Sequence, residues 1–161
     1  MFKIKLLILL LLSIFIANCA QNKVSSNIKY NLNYIGGGSD GLILTNFLKS
    51  SLISYNLFNK TSEYMINAGI NHEQIVFVTN VDNTSDREKI ISKITLSVLD
   101  TKNNCKILDY TETEQQFYVM ASSVNYISNN TAIEKIKSTN TEILVNNLMP
   151  KLINLGKTCQ K

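Results

Sequence analysis

The chain has 161 residues, of which 45% are hydrophobic, and its 16 basic and 12 acidic side chains give a net charge of +4. This length fits one domain with a modest core. The basic residues form no cluster, so the sequence does not indicate nucleic-acid binding. The single histidine, His72, has no second histidine or cysteine near it, and we therefore expect no metal site and no cofactor.

The N-terminal segment has the pattern of an export signal. Lys3 and Lys5 precede an apolar run of twelve residues, 6–17, which only Ser13 interrupts. A basic start followed by an apolar core of about 7–15 residues is typical of a secretory signal. A membrane-spanning helix needs about 20 residues. We therefore interpret the run as a signal and not as a permanent membrane span.

The apolar run ends in the order Ile-Ala-Asn-Cys, with Cys19 last. This order is similar to the lipobox of bacterial lipoproteins, in which the chain is cut before a cysteine that carries lipid. Ordinary signal-peptidase cleavage is the alternative, but its small residues at −3 and −1 fit poorly here. We expect residues 1–18 to be a lipoprotein signal peptide, Cys19 to be lipidated and residues 19–27 to be a tether. More than one acyl chain holds a protein stably on a membrane.

Two features concern the exported chain. Removal of residues 1–18 leaves 143 residues with a net charge of +2, since Lys3 and Lys5 leave with the signal. Ala20, not aspartate, follows the cysteine. By resemblance to lipoprotein sorting in enteric bacteria, this indicates the periplasmic side of the outer membrane.

The remaining sequence predicts a single domain over residues 28–157. Alternation of apolar and polar residues predicts strands, and apolar residues at helical spacing predict helices. Residues 62–70 are ambiguous. The predicted elements are a strand at 27–35, a helix at 42–55, strands at 73–81, 89–99 and 106–121, and a helix from Thr131 to Gly156, which Pro150 should kink or break. This order predicts an α+β two-layer sandwich, with two helices on one face of a mostly antiparallel sheet of about four strands.

The turns have their own signals. Gly36–Gly38 is a permissive turn and not a phosphate cradle, because Asp40 would repel phosphate. Asn103 and Asn104 are suited to the positive φ angles of a hairpin turn. Thr131 and Glu134 form a capping box, which predicts the start of the last helix.

No group of residues indicates catalysis. His72 lies beside a predicted turn, and no serine elbow motif accompanies it, so we interpret it as a solvated loop residue. Asp109, Glu112 and Glu114 are interpreted as a solvated strand face, since nothing positions an acid against a base. We therefore expect a protein that is not an enzyme. A secreted hydrolase is the minor alternative.

Cys105 and Cys159 remain after Cys19. In an exported protein a pair of cysteines is a candidate disulfide. Two separate thiols is the other interpretation, and the sequence does not decide between them.

Three segments of the second half of the chain share a pattern: "DREKIISKITLSVLD", in which Arg87 leads a strand pair, "ILDYTETEQQFYVMASSVNYISNN", which contains Tyr126, and "AIEKIKSTNTEILVNNLMPKL", which begins at Ala132. With the lipobox-like segment and the order strand, helix, three strands and helix, these segments resemble the LPS-assembly lipoprotein family, LptE. The resemblance implies a non-catalytic plug inside the outer-membrane β-barrel LptD, assisting the transport of lipopolysaccharide to the cell surface.

The resemblance also implies contacts with the phosphates of lipid A, for which Arg87, Lys89 and Lys93 are the candidates. The alternative for these three residues is ordinary solubilising charge. The alternative for the whole protein is a generic envelope lipoprotein that scaffolds or activates a periplasmic partner through a sheet edge.

Overall fold

The computed structural model describes residues 28–77, 87–119, 126–157 and 159. The signal peptide, Cys19 and the tether therefore lie outside the described residues. The elements, in chain order, are β1 (Asn31–Gly36), α1 (Gly38–Ser54), β2 (Tyr64–Phe77), β3 (Arg87–Asp100), β4 (Cys105–Val119) and α2 (Tyr126–Ile153). Within these ranges, no helix is both long enough and apolar enough to cross a membrane.

The strands form one sheet in the order β1-β2-β3-β4. The β1–β2 pair is parallel, and the β2–β3 and β3–β4 pairs are antiparallel. Both helices pack on the same face, and α2 contacts α1, β3 and β4. The predicted fold class, α+β with two helices on a mostly antiparallel sheet, is confirmed.

The alternation along β3 explains how the sheet divides the molecule. Its even-numbered residues, 88 to 100, are all buried under the helices, whereas its odd-numbered residues are exposed or half-buried. Side chains alternate between the faces of a strand, so the odd-numbered residues point to the face that has no helix, which we call the open face. The core lies on the helix face and is formed by residues of both helices and of the sheet, including Leu44, Leu48, Leu52, Ile66, Ile94, Val98, Leu144, Leu148 and Leu152.

Strand β2 differs most from the sequence prediction. It begins at Tyr64, inside the ambiguous region 62–70, and the predicted strand at 73–81 is its continuation to Phe77. Residues 78–81 lie outside the described residues. Ala68 and Gly69 have weak strand propensity, but pairing with β1 on one side and β3 on the other fixes this segment. As a result His72 is a strand residue, and its placement beside a turn was wrong.

Both helices also begin earlier than predicted. Helix α1 begins at Gly38, with Gly37 at the N-cap and no side-chain cap bond. Helix α2 begins at Tyr126, so Thr131 and Glu134 lie inside it and do not mark its start, as the predicted capping box required. It passes through Pro150 and ends at Ile153, before Gly156. Buried Leu148, Met149 and Leu152 hold its last turns on the core despite the proline.

The β3–β4 hairpin turn uses its two asparagines differently. Asn104 has a φ of 50°, as predicted. Asn103 instead donates its N–H to the Asp100 carboxylate at 3.0 Å and its side-chain amide at 2.8 Å. These bonds hold the pKa of Asp100 below its ordinary value. The turn is therefore fixed by a carboxylate that the backbone and side chain of one asparagine both bind.

Candidate functional site

The open face brings the three predicted cationic residues together. Arg87, Lys89 and Lys93 occupy odd-numbered positions of β3, whose even-numbered neighbours are buried. Arg87 and Lys93 are six positions apart, and a strand rises about 3.4 Å per residue, so the three side chains extend over about 20 Å along one strand. The acidic residue Glu73 also lies on this face. It is paired with Ile91, which stands between Lys89 and Lys93 on β3.

Apolar side chains lie beside these cations on β4. Phe117 is paired with Lys89 and Val119 with Arg87. Phe117 is 61% exposed and Val119 is 63% exposed. The Lys89 ammonium lies 6.0 Å from the centre of the Phe117 ring. We call Arg87, Lys89, Lys93, Phe117 and Val119 the basic–apolar patch, because it offers cationic and apolar groups on one surface.

A shallow groove occupies the other end of the open face. It crosses all four strands and has a volume of about 330 Å³. Its rim carries an ion pair between Lys106 Nζ and Asp109 Oδ2 at 2.8 Å. The residues that line it are Tyr34, Gly36, Asn67, Ala68, Gly69, Thr95, Leu96, Ser97, Lys106 and Asp109.

The acidic residues of β4 do not form one site. Asp109 lies on the open face at the groove. Glu112 is paired with Ile94, a buried residue, and therefore faces the helix side. There it accepts a hydrogen bond from Asn147 Nδ2 at 3.0 Å and another from the Tyr110 hydroxyl. Burial, followed by the bond to Glu112, raises the pKa of Tyr110. The Glu112 carboxylate thus has a structural role, because it links β4 to Asn147 of α2 and binds the Tyr110 hydroxyl.

Sequence reasoning missed a polar cluster beneath α2. His72 Nδ1 lies 2.7 Å from Ser92 Oγ, and Asn140 Nδ2 donates to the same oxygen at 3.0 Å. Burial lowers the pKa of His72. Ser92 and Asn140 are fully buried, so this serine has no access to a substrate. The sequence contains one signal of this cluster. Ser92 occupies the same alternating positions of β3 as Ile90 and Ile94, which predicts a polar side chain on the buried face.

The structure joins Cys105 and Cys159 in a disulfide. The bond links the first residue of β4 to the segment after α2. Among the described residues, no three His, Cys, Asp or Glu side chains are grouped so as to hold a metal ion.

Comparison with solved structures shows that this fold occurs in bacterial lipoproteins. The chain is similar to rare lipoprotein B from Shewanella oneidensis, with 9% identity and a TM-score of 0.62 over 77% of this chain and 92% of that one. It is also similar to a minor lipoprotein from Acinetobacter baumannii, with 14% identity and a TM-score of 0.60 over 82% and 96% of the two chains.

A protein of Caulobacter crescentus CB15 that is described as a lipoprotein shares the fold at 16% identity and a TM-score of 0.56, over 81% of this chain and 90% of that one. No protein-family model matches the chain, and no curated protein matches it. At these identities the similarity defines a shared fold.

Proposed function

We propose that this protein is a lipid-anchored lipoprotein of the bacterial outer membrane that acts without catalysis as the partner of an LptD-like β-barrel in lipopolysaccharide transport. The observation that carries the proposal is the basic–apolar patch on a sheet face that neither helix covers. The lipobox-like segment at Cys19 supports the anchor, and the fold shared with solved lipoproteins supports the class.

The chemistry of the patch suits a phosphorylated lipid. Arg87, Lys89 and Lys93 offer charge-assisted hydrogen bonds to phosphate oxygens. Phe117 and Val119 offer exposed apolar surface for acyl chains on the neighbouring strand. An amphiphile with anionic and apolar parts is thus bound on one surface, and no bond needs to be made or broken.

The proposed anchor fixes where the domain works. Residues 19–27 are nine residues long, and a fully extended chain spans at most about 3.6 Å per residue. The domain therefore lies within about 30 Å of the membrane surface. That distance keeps the patch near lipid and near the periplasmic end of an outer-membrane barrel.

The first experiment tests the anchor through the intact mass of membrane-extracted protein, with wild type beside Cys19→Ala. A chain that begins at Cys19 and carries acyl mass, lost in the variant, supports the proposal. An unmodified chain, or one cut elsewhere, overturns the lipoprotein anchor.

The second experiment tests the patch. We expect the combined variant Arg87→Gln, Lys89→Gln and Lys93→Gln to bind lipopolysaccharide vesicles at least about tenfold more weakly, because three phosphate contacts are lost. Dephosphorylated lipopolysaccharide should reduce the difference between wild type and variant. The matched control removes three exposed lysines outside β3: Lys60→Gln, Lys135→Gln and Lys151→Gln. Equal weakening in both variants would mean that only net charge matters.

The third experiment tests the partner by co-purification from membranes. Recovery of an LptD-sized barrel with wild type supports the transport role.

The second candidate function is that of a scaffold or activator of a periplasmic partner. Strand β4 favours it, since this 15-residue strand is paired only with β3 among the described strands and so offers a free edge. Recovery of a periplasmic enzyme in place of a barrel would support that candidate.

A further inference from the structure

We infer that the groove on the open face is a binding site for a neutral saccharide. This site uses none of the residues of the basic–apolar patch, and it stands whether or not the transport role is correct. The inference depends on three observations: an exposed tyrosine beside the groove, polar groups on its floor, and a charge balance of zero at its rim.

The tyrosine supplies a stacking surface. Tyr34 is 68% exposed. Its ring lies against Gly36, where an added Cβ would be 3.4 Å from Tyr34 Cε1 and 3.5 Å from the hydroxyl. The face of an aromatic ring carries partial negative charge, and the C–H groups of a sugar ring carry partial positive charge. An exposed tyrosine beside a groove that combines apolar surface with hydrogen-bonding groups therefore favours sugars over wholly polar or wholly apolar ligands.

The floor supplies hydrogen-bonding groups in rows. Asn67, Ser97 and Asp109 are paired directly across β2, β3 and β4, and Gly69 and Thr95 are paired in the next row. Neighbouring strands are about 4.8 Å apart, so the first row spans about 10 Å, which is close to the length of a disaccharide.

The polar groups in these rows are mostly uncommitted. Asn67 Oδ1 accepts from Asn33 Nδ2 at 2.8 Å and from the Tyr34 N–H at 3.2 Å. Its Nδ2 group has no partner among the described residues, and the same is true of the hydroxyls of Thr95 and Ser97. Amide and hydroxyl groups both match the vicinal hydroxyls of a sugar.

The rim carries no net charge that would attract an ionic ligand. Lys106 and Asp109 neutralise each other at 2.8 Å. The cations of the basic–apolar patch lie further along β3, beginning with Lys93. The groove volume of about 330 Å³ falls in the range of small-molecule sites, about 300–1,000 Å³. The ligand that fits is a neutral saccharide of about two rings.

Nuclear magnetic resonance titration of the folded domain tests the site, with lactose and N,N′-diacetylchitobiose as neutral probes and glucose 1-phosphate as the charged comparison. We expect at least one neutral probe to bind with a Kd of about 1 mM and to shift the amide signals of Asn67, Thr95 and Ser97. Glucose 1-phosphate should bind no better than the neutral probes.

Four variants refine the test. Tyr34→Ala should weaken binding at least about tenfold, and Tyr34→Phe should retain it, because stacking needs the ring and not the hydroxyl. Tyr55→Ala is the matched control, since Tyr55 is 56% exposed at the end of α1, away from the groove. Gly69→Val should abolish binding by filling the floor, and it should fold, because an added Cβ is 3.5 Å from Thr95 Oγ1 and valine suits strands.

The outcomes separate this site from the proposed function. Loss in the Tyr34→Ala and Gly69→Val variants, with wild-type binding by the Arg87, Lys89 and Lys93 triple variant, supports the inference. The inference is overturned if neither neutral probe moves the groove signals at about 10 mM, ten times the expected Kd. Equal effects of Tyr34→Ala and Tyr55→Ala would overturn it as well. None of these results depends on lipopolysaccharide or on a barrel.

Discussion

The Tyr30 hydroxyl donates a hydrogen bond of 2.7 Å to the Leu152 carbonyl, across 122 positions of the chain. The last carbonyls of a helix have no partner within the helix, and Leu152 lies in the final turn of α2. Tyr30 is completely buried, and burial, with a smaller effect of Tyr64, raises its pKa. This one bond therefore ties the start of the domain to the end of its last helix.

We expect Tyr30→Phe to lower the free energy of unfolding by about 1–2 kcal/mol, because it leaves the Leu152 carbonyl buried without its donor. Urea denaturation of the purified domain measures the change. Tyr55→Phe is the control, since Tyr55 is exposed and its variant should unfold like wild type. Equal unfolding free energies for Tyr30→Phe and wild type would show that the bond contributes nothing net.

Local patterns predict the middle of this fold well. In β3, Ile90, Ile94 and Val98 share one face while Lys93, Thr95 and Ser97 share the other, and this period-two alternation predicts both the strand and its buried face. The start of β2 was missed because Ala68 and Gly69 have weak strand propensity, and only their neighbours on both sides hold them in a sheet. Strand propensity describes one segment at a time, so it does not show that β1 and β3 lie on either side of this segment.

The groove was not predictable from the sequence for a related reason. Tyr34, Asn67, Ser97 and Asp109 lie on four different strands, and only the register of the sheet brings them together. A one-residue slip would turn each side chain to the other face. The three cations were found because they share one strand, where alternation alone places them on the same face.

Two adjacent glycines should differ in their tolerance of alanine. Gly37 has a φ of +116°, and an added Cβ would lie 2.7 Å from the Ile70 carbonyl oxygen, whereas Gly38 has a φ of +59° and open space around it. We expect Gly37→Ala to cost about 3 kcal/mol from backbone strain and the clash, and Gly38→Ala to cost about 1 kcal/mol from strain alone. Thermal unfolding of the two variants checks the order. The reverse order would contradict the geometry at Gly37.

Loss of the disulfide should destabilise the domain without changing its fold. Cys105 and Cys159 are 54 positions apart, and closure of a loop of that size stabilises a protein by about 2–4 kcal/mol. We expect the double variant Cys105→Ser and Cys159→Ser to melt about 10 °C lower. A reducing agent should lower the Tm of wild type equally and leave the double variant unchanged. A drop in the double variant on reduction would point to another cause.

Stability should fall in mild acid because of His72. Burial lowers its pKa below the ordinary value of 6.5, with Asp40 and Glu134 opposing the change and Lys137 adding to it. The unfolded chain therefore takes up the proton first. The stabilisation is complete above about pH 6.5 and is lost as the pH falls toward the folded-state pKa. Asp100, whose pKa is also lowered from 3.8, acts only in a more acidic window.

Urea denaturation at about pH 7.5 and pH 5, on either side of the ordinary histidine pKa, measures this loss. His72→Asn keeps an amide near the Ser92 hydroxyl but has no group that titrates in this range, so the variant should show a much smaller change. Ser92→Ala is a further comparison, since it retains the titrating histidine and should retain the dependence on pH. If wild type and His72→Asn lose the same stability between the two pH values, the change belongs to other groups and the half-buried histidine is not its source.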